Sequence, residues 1–267
     1  MAYRDRPTYC VASSVQVHER GWWRMQHRTE LDSSTLADDE CDALAEYAAR
    51  ASWPAGFQIY ERGAAAEGVF VVLRGRVVLR SRVRSGRAFV PWIATRGETF
   101  GGEGLSPRAR YATDARTDDE ADTLFLNTAR LRTFMREQPA RALVLVGQIM
   151  AERTLLLDKL RELTTMSVEQ RIVASLQRMS THGGFLDARG RVELCTARYR
   201  LLCELVGATR ESVSLVLGRL AGDGLVERAG TTLFVAPTAT LFERLGRDTD
   251  GAMFTQPFIE TGPPLSS

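Results

Sequence analysis

The chain has 267 residues, 44% hydrophobic and 25% charged, a composition that suits a globular protein of one or two domains. Its formal charge of +2 excludes a polybasic nucleic-acid coat but leaves room for a local basic patch. No apolar run approaches the roughly 18 residues that cross a bilayer, and the start MAYRDRPTYC lacks a basic-then-apolar signal pattern. Four cysteines, Cys10, Cys41, Cys195 and Cys203, are scattered with no C-x-x-C spacing, so a cytoplasmic chain with reduced thiols and no metal site is expected.

Residues 1–35 hold arginines, Trp22 and Trp23 with no period, and read as an N-terminal extension. From Leu36, LADDECDALAEYAARASW predicts one or two short amphipathic helices opened by acidic residues and stopped at Pro54 and Gly56. Short segments rich in β-branched and aromatic residues follow at 57–60, 69–73, 76–83, 88–95, 111–117 and 123–127. Gly56, Gly63, Gly68, Gly75, Gly86 and Gly97 punctuate them, which predicts an antiparallel barrel or sandwich. Pro91 lacks a backbone donor and places its strand at an edge or a bulge.

After Thr128 the period becomes helical. A short helix ends at Pro139, and a long one runs from Ala140 to about Met166. Leu143, Val146, Met150, Leu157, Leu160 and Thr164 fit a heptad seam with Arg153 as its odd member, while Leu145, Ile149, Leu156 and Leu163 form a second apolar side. Such a helix needs two partners, either the β domain and a second copy of itself or two surfaces of one chain. Its length of about 40 Å, at 1.5 Å per residue, favours the second copy.

Ser167 caps a further helix, with Gln170 as its capping-box partner. Val168, Ile172, Val173, Leu176 and Met179 line the core face of that helix. RVELC begins a strand, and RYRLLCELV is a helix with Leu201, Leu202, Leu205 and Val206 inward. A turn at Gly207 leads to a helix capped by Thr209, in which Glu211 suits the positive end of the dipole. Val213, Val216, Leu217 and Leu220 recur at helical spacing as the core face, leaving Arg210, Glu211, Ser214 and Leu215 as an outward stripe. This pattern reads as helix-turn-helix, with an ordinary surface αα-hairpin as the alternative. Residues 225–228 and 233–235 form a hairpin wing, and a Gly/Pro/Ser-rich tail follows from Asp248.

These residues, in this order, resemble the CRP/FNR (cAMP-receptor / fumarate–nitrate regulator) family of bacterial transcription factors over roughly residues 36–236. LVGATRESVSLVLGRLAGDGLVER is similar to that family's recognition signature, and AGFQIYERGAAAEGVFVVLRGRVVL and RGETF resemble its cyclic-nucleotide-binding roll. The fold class implied is α+β: an N-terminal antiparallel β-roll of cyclic-nucleotide-binding type, a long dimerisation helix and a C-terminal winged helix-turn-helix. The corresponding divisions are 1–35 extension, 36–138 roll, 139–166 helix, 167–247 winged helix and 248–267 tail.

The resemblance makes Arg210 and Glu211 the base-reading pair. Arginine can donate twice to guanine O6 and N7, and glutamate can accept from cytosine N4. Thr209 matches a phosphate-contacting position. Leu215 stands where many members carry Arg, offering a thymine methyl an apolar contact in place of a guanine bond. Arg200 stands where members often carry Gln; with Arg198 it is either a phosphate contact or part of a solvated face.

The roll matches less well. Within FGGEGLSPRARYATDA, Glu103 aligns with the ribose-binding acid only if one residue is inserted; without a gap Gly102 takes that place. Arg110 matches the phosphate arginine, and Tyr111 replaces a small hydroxyl residue. Leu156 and Leu157 fall where hydroxyls would meet adenine, and an unpaired buried amine costs about 1–3 kcal/mol. A cyclic nucleotide or another small effector is the ligand class implied, with cAMP itself disfavoured and no cofactor required. Cys10 alone in the N-terminal region excludes an iron–sulfur cluster of the family's kind, and His18, His27 and His182 lie outside the roll and long helix, away from any haem.

The expected function is sequence-specific binding of double-stranded DNA by a homodimer with Leu143, Val146, Met150, Leu157 and Leu160 at its interface, and RNA polymerase is a further expected partner. The alternative is a nucleotide-sensing subunit whose winged helix binds protein. No nucleophile elbow, P-loop or H-E-x-x-H is present, so no enzyme is expected.

Overall fold

The computed structural model describes residues 35–82, 88–181, 185–237 and 240–241. The expectations for Cys10, His18, Trp22, Trp23, His27, His182 and the tail lie outside the described residues. Helix α1 (Asp38–Ala45) leads into strands β1 (Ala49–Trp53), β2 (Gln58–Tyr60), β3 (Gly68–Arg74), β4 (Val77–Arg82), β5 (Ala88–Ala94), β6 (Thr99–Phe100), β7 (Asp114–Thr117) and β8 (Ala121–Asn127). They form two four-stranded antiparallel sheets, ordered β1-β8-β3-β6 and β2-β7-β4-β5. A 3₁₀ turn at Gly102–Leu105 lies between β6 and β7.

Strand β3 reads as an unbroken apolar run because both of its faces are covered. Val69 and Val71 pack with Leu124, Leu126, Leu131, Phe134, Leu145 and Ile149, under the helices. Phe70 and Val72 point to the other side, into the core shared with Phe100 of the neighbouring β6 and with Tyr60, Val78 and Trp92 of the facing sheet. The sequence Ala49–Trp53, expected to be helical, is instead the edge strand β1, paired with β8 from Ala49↔Phe125 to Trp53↔Ala121. Its alanines and arginine favour helix locally, but backbone pairing to β8 and the bond from Trp53 Nε1 to Thr123 Oγ1 (2.9 Å) outweigh that preference. Pro91 behaves as expected: β5 is the edge of its sheet, and the register with β4 shifts between Leu79 and Ser81, opposite the proline.

Helix α2 (Thr128–Glu137) is capped by Asn127, whose side chain accepts from Arg130 N. Helix α3 (Pro139–Thr165) has 27 residues and begins on the proline. Ala142, Leu145, Gln148, Ile149, Lys159 and Glu162 are its buried side. Helix α4 (Val168–Thr181) starts at the expected capping box: Ser167 N donates to Gln170 Oε1 (2.8 Å) and Gln170 N to Ser167 Oγ (3.2 Å). The elbow between α3 and α4 holds a buried charge cluster. Lys159 Nζ donates to Glu162 Oε2 at 3.0 Å, and Arg178 on α4 clasps both oxygens of the same carboxylate.

Strand β9 (Val192–Leu194), α5 (Thr196–Val206), α6 (Arg210–Gly222), β10 (Val226–Ala229) and β11 (Thr232–Val235) complete the winged helix, whose sheet order is β10-β11-β9. Gly207, at φ +66°, makes the left-handed turn between α5 and α6. The winged helix packs on the roll: Arg80 of β4 bridges Glu204 of α5 at 2.7 Å, both largely buried, and Gly207 lies against Phe89 of β5 and Leu163 of α3. No helix among the described residues is long and apolar enough to cross a membrane.

Candidate nucleic-acid interface and effector pocket

The start of α6 separates core from surface as its period predicts. Val213, Val216, Leu217 and Leu220 are buried, whereas Thr209, Arg210, Glu211, Ser214 and Leu215 are exposed. Leu215 is 69% exposed, so a large apolar side chain stands in water on an otherwise polar face. Thr209 caps the helix, its hydroxyl accepting from Ser212 N at 3.3 Å. Bonds from its own backbone N–H and from Thr209, helped by Arg210, hold the Glu211 carboxyl below the usual carboxylate range. The guanidinium of Arg210 lies over the ring of Tyr199, 5.8 Å from its centroid. Arg200 is exposed on α5. Arg198 is committed within the fold, donating to Glu193 Oε2 at 2.9 Å and facing the ring of Phe185.

The roll residues assemble differently from the pattern the sequence implies. Arg110 is exposed and donates from Nη1 to Gly63 O at 2.6 Å. Tyr111 is buried and stacks face to face on Tyr60, with centroids 3.7 Å apart and planes at 10°. Its hydroxyl reaches Gly68 O at 3.4 Å. Glu103 is half-buried, its Oε1 accepting from Ala112 N at 3.0 Å. The turn that carries it sits tight on β3, because Gly104 and Gly68 meet backbone to backbone; a methyl on Gly104 would lie 2.2 Å from Gly68 O.

Leu156 and Leu157 are exposed, away from this group. The long helix instead turns Ile149 and Glu152 to the 3₁₀ turn, where a methyl on Gly102 would lie 3.0 Å from Ile149 and 3.5 Å from Glu152 Oε2. That oxygen is buried without a hydrogen-bond partner. Burial, then the charge of Glu103, push the Glu152 carboxyl up to about 8, against the pull of Arg153. The sequence reading placed Ile149 on the second apolar side of this helix but did not give it, Tyr60 or Glu152 a place in the effector site, although Leu145, Ile149 and Glu152 continue one face at i, i+4, i+7. This part of the roll therefore gathers Glu103, a Glu152 carboxyl that keeps its proton to about pH 8 and a closed aromatic stack, with the arginine that resembles a phosphate ligand exposed.

Along α3, Leu143, Val146, Met150, Leu157 and Leu160 are all exposed, as an apolar seam interrupted at Arg153. Among the described residues no group of His, Cys, Asp and Glu side chains is placed to hold a metal ion.

Residues 50–138 match the model of the cyclic nucleotide-binding domain. The cyclic AMP receptor protein of Thermus thermophilus is 28% identical over 215 residues, covering 78% of this chain and 93% of its own length. A CRP-like cAMP-activated global transcriptional regulator of Mycobacterium tuberculosis is 19% identical over 202 residues, 76% of this chain and 90% of its own. Two solved structures share the fold. The c-di-GMP-responsive global regulator CLP of Xanthomonas campestris has TM-score 0.65 at 21% identity, with 75% of this chain and 99% of that one covered. A CRP/FNR-family transcriptional regulator of T. thermophilus has TM-score 0.63 at 22% identity, with 73% and 97% covered. With its cyclic nucleotide-binding domain, its long helix and its winged helix in this order, the chain has the fold of these CRP/FNR-family regulators and resembles them over most of its length.

Proposed function

We propose that the chain is a sequence-specific DNA-binding regulator that acts as a homodimer on near-palindromic operators. The observation that carries this is the stripe Arg210–Glu211–Ser214–Leu215, fully outward on a helix whose opposite face is buried. In the major groove, Arg210 donates to guanine, Glu211 accepts from cytosine and Leu215 covers a thymine methyl. Thr209 and Arg200 approach phosphates, whereas Arg198 supports the fold through Glu193. The seam from Leu143 to Leu160 supports pairing along α3, which sets two α6 helices in successive major grooves about 34 Å apart. RNA polymerase is the partner that such a regulator addresses at a promoter.

The roll supports modulation by a small ligand, but not by cAMP. The Thermus relative is named for cAMP, and the Xanthomonas regulator responds to c-di-GMP. Both are anions, and here Arg110, the arginine that resembles a phosphate ligand, is exposed and bonded to Gly63 O.

The test is selection of bound duplexes from a random pool, followed by titration of the enriched operator with and without cyclic nucleotides. Arg210→Ala should cost about 1–3 kcal/mol and relax one position per half-site. Equal loss on every sequence, or no enrichment at all, overturns the reading.

A further inference from the structure

Helix α5 crosses the start of α6 at Tyr199. Three contacts meet there. The Tyr199 hydroxyl donates to the Arg210 main-chain carbonyl at 3.3 Å. Its ring lies under the Arg210 guanidinium, whose carbon is 5.8 Å from the centroid, within the roughly 6 Å range of a cation–π attraction. Ser214, one turn further along α6, lies near enough to the same hydroxyl to favour its ionised form, against the larger effect of burial. Tyr199 is itself half-buried and packed against the core of the winged helix, so it is a fixed object against which mobile groups can be set.

Arg210 needs such a support. It is exposed at the first position of its helix, on a long side chain that loses rotamer freedom when it docks. Its neighbour Glu211 is drawn back to the helix start by its own N–H and by Thr209. The Tyr199 ring therefore gives the guanidinium a surface to lie against, and the hydroxyl ties down the main chain that carries it.

We propose that Tyr199 is a positioning residue for base recognition: it aims Arg210 at one base pair, so that the choice of base at that position depends on a side chain on the preceding helix. The inference rests on the base-reading role given to Arg210 above. A guanidinium held in one orientation can meet guanine O6 and N7 together, whereas a free one exchanges that paired contact for single bonds to neighbouring acceptors.

The test uses the full chain and the operator recovered by selection, with every base pair of one half-site substituted in turn. Tyr199→Phe keeps the ring and loses the hydroxyl; Tyr199→Ala loses both. Expected is a fall in discrimination at the Arg210 position of about tenfold for Tyr199→Ala and about threefold for Tyr199→Phe, with the other positions and the salt dependence unchanged. The near-isosteric Phe variant keeps the experiment interpretable if the Ala variant unfolds. An unchanged preference in Tyr199→Phe and Tyr199→Ala, or a loss spread evenly over the half-site, overturns the proposal. If Arg210→Ala itself keeps the wild-type base preference, the role of Arg210 falls and the inference falls with it. An altered Arg210→Ala profile beside unaltered Tyr199 profiles refutes only the inference.

Discussion

Replacing Glu152 by glutamine should stabilise this protein, and increasingly so as the pH rises. The carboxyl faces the 3₁₀ turn with one oxygen buried and unpartnered, and burial followed by Glu103 moves it from its ordinary 4.5 to about 8. Between those values the folded chain keeps a proton that the unfolded chain has released, so stability falls as pH rises through that window. Above about 8 the whole cost is present. At 1.36 kcal/mol for each pH unit of the gap, its ceiling is about 5 kcal/mol, of which about 3 is already felt at pH 7. Glutamine is nearly isosteric, carries no charge at any pH, and offers its amide to the Glu103 carboxylate. Urea unfolding of both proteins at about pH 5.5 and pH 8.5, at one ionic strength, isolates the effect because other titrating groups are common to both. The wild type should lose about 2–3 kcal/mol more than the variant across that span, the part of the window that lies above pH 5.5. Equal losses in the two proteins would show that Glu152 is solvated and would refute the argument.

Three other substitutions probe separate parts of the frame. Glu162→Gln leaves Lys159 and Arg178 without their shared carboxylate, and should cost about 3 kcal/mol, the low end for a broken buried pair. The cost is limited because Lys159, already lowered to about 8 by burial and by Arg178, can shed its proton; thermal melting measures it. Leu157→Glu puts charge on the exposed seam and should yield monomers in sedimentation while leaving the circular dichroism of each chain intact. Gly207→Ala forces a side chain into φ +66° and sets its methyl 3.0 Å from Leu163, so a loss of about 1–2 kcal/mol is expected in denaturant unfolding.

Much of the winged helix was legible in the sequence because its determinants are local. The buried set Val213, Val216, Leu217 and Leu220, the Thr209 cap and the Ser167–Gln170 box each lie within one or two helical turns. Strand β1 was not legible, since nothing within Ala49–Trp53 announces a partner more than 70 residues away in β8. The pocket failed for a related reason. Glu152, like Lys159 and Glu162, is a charged residue within a helix and reads as solvated; its burial comes from the turn at Gly102, which only tertiary packing brings against it. Arg110 shows the converse, since a motif match gives a residue type but not the direction of its side chain, and here that direction is set by Gly63 O.

The bridge between Arg80 and Glu204 gives the winged helix a second anchorage besides the elbow clasped by Glu162 and Arg178. Phe89 against Gly207 and Arg76 over the ring of Phe185 extend that anchorage into a packed face between the roll and the winged helix. Cutting the bridge removes one charged tie from that face and leaves its apolar and aromatic contacts in place. The direction in which α6 points is thus a property of a whole seated surface, in which the arginine is one bearing among several.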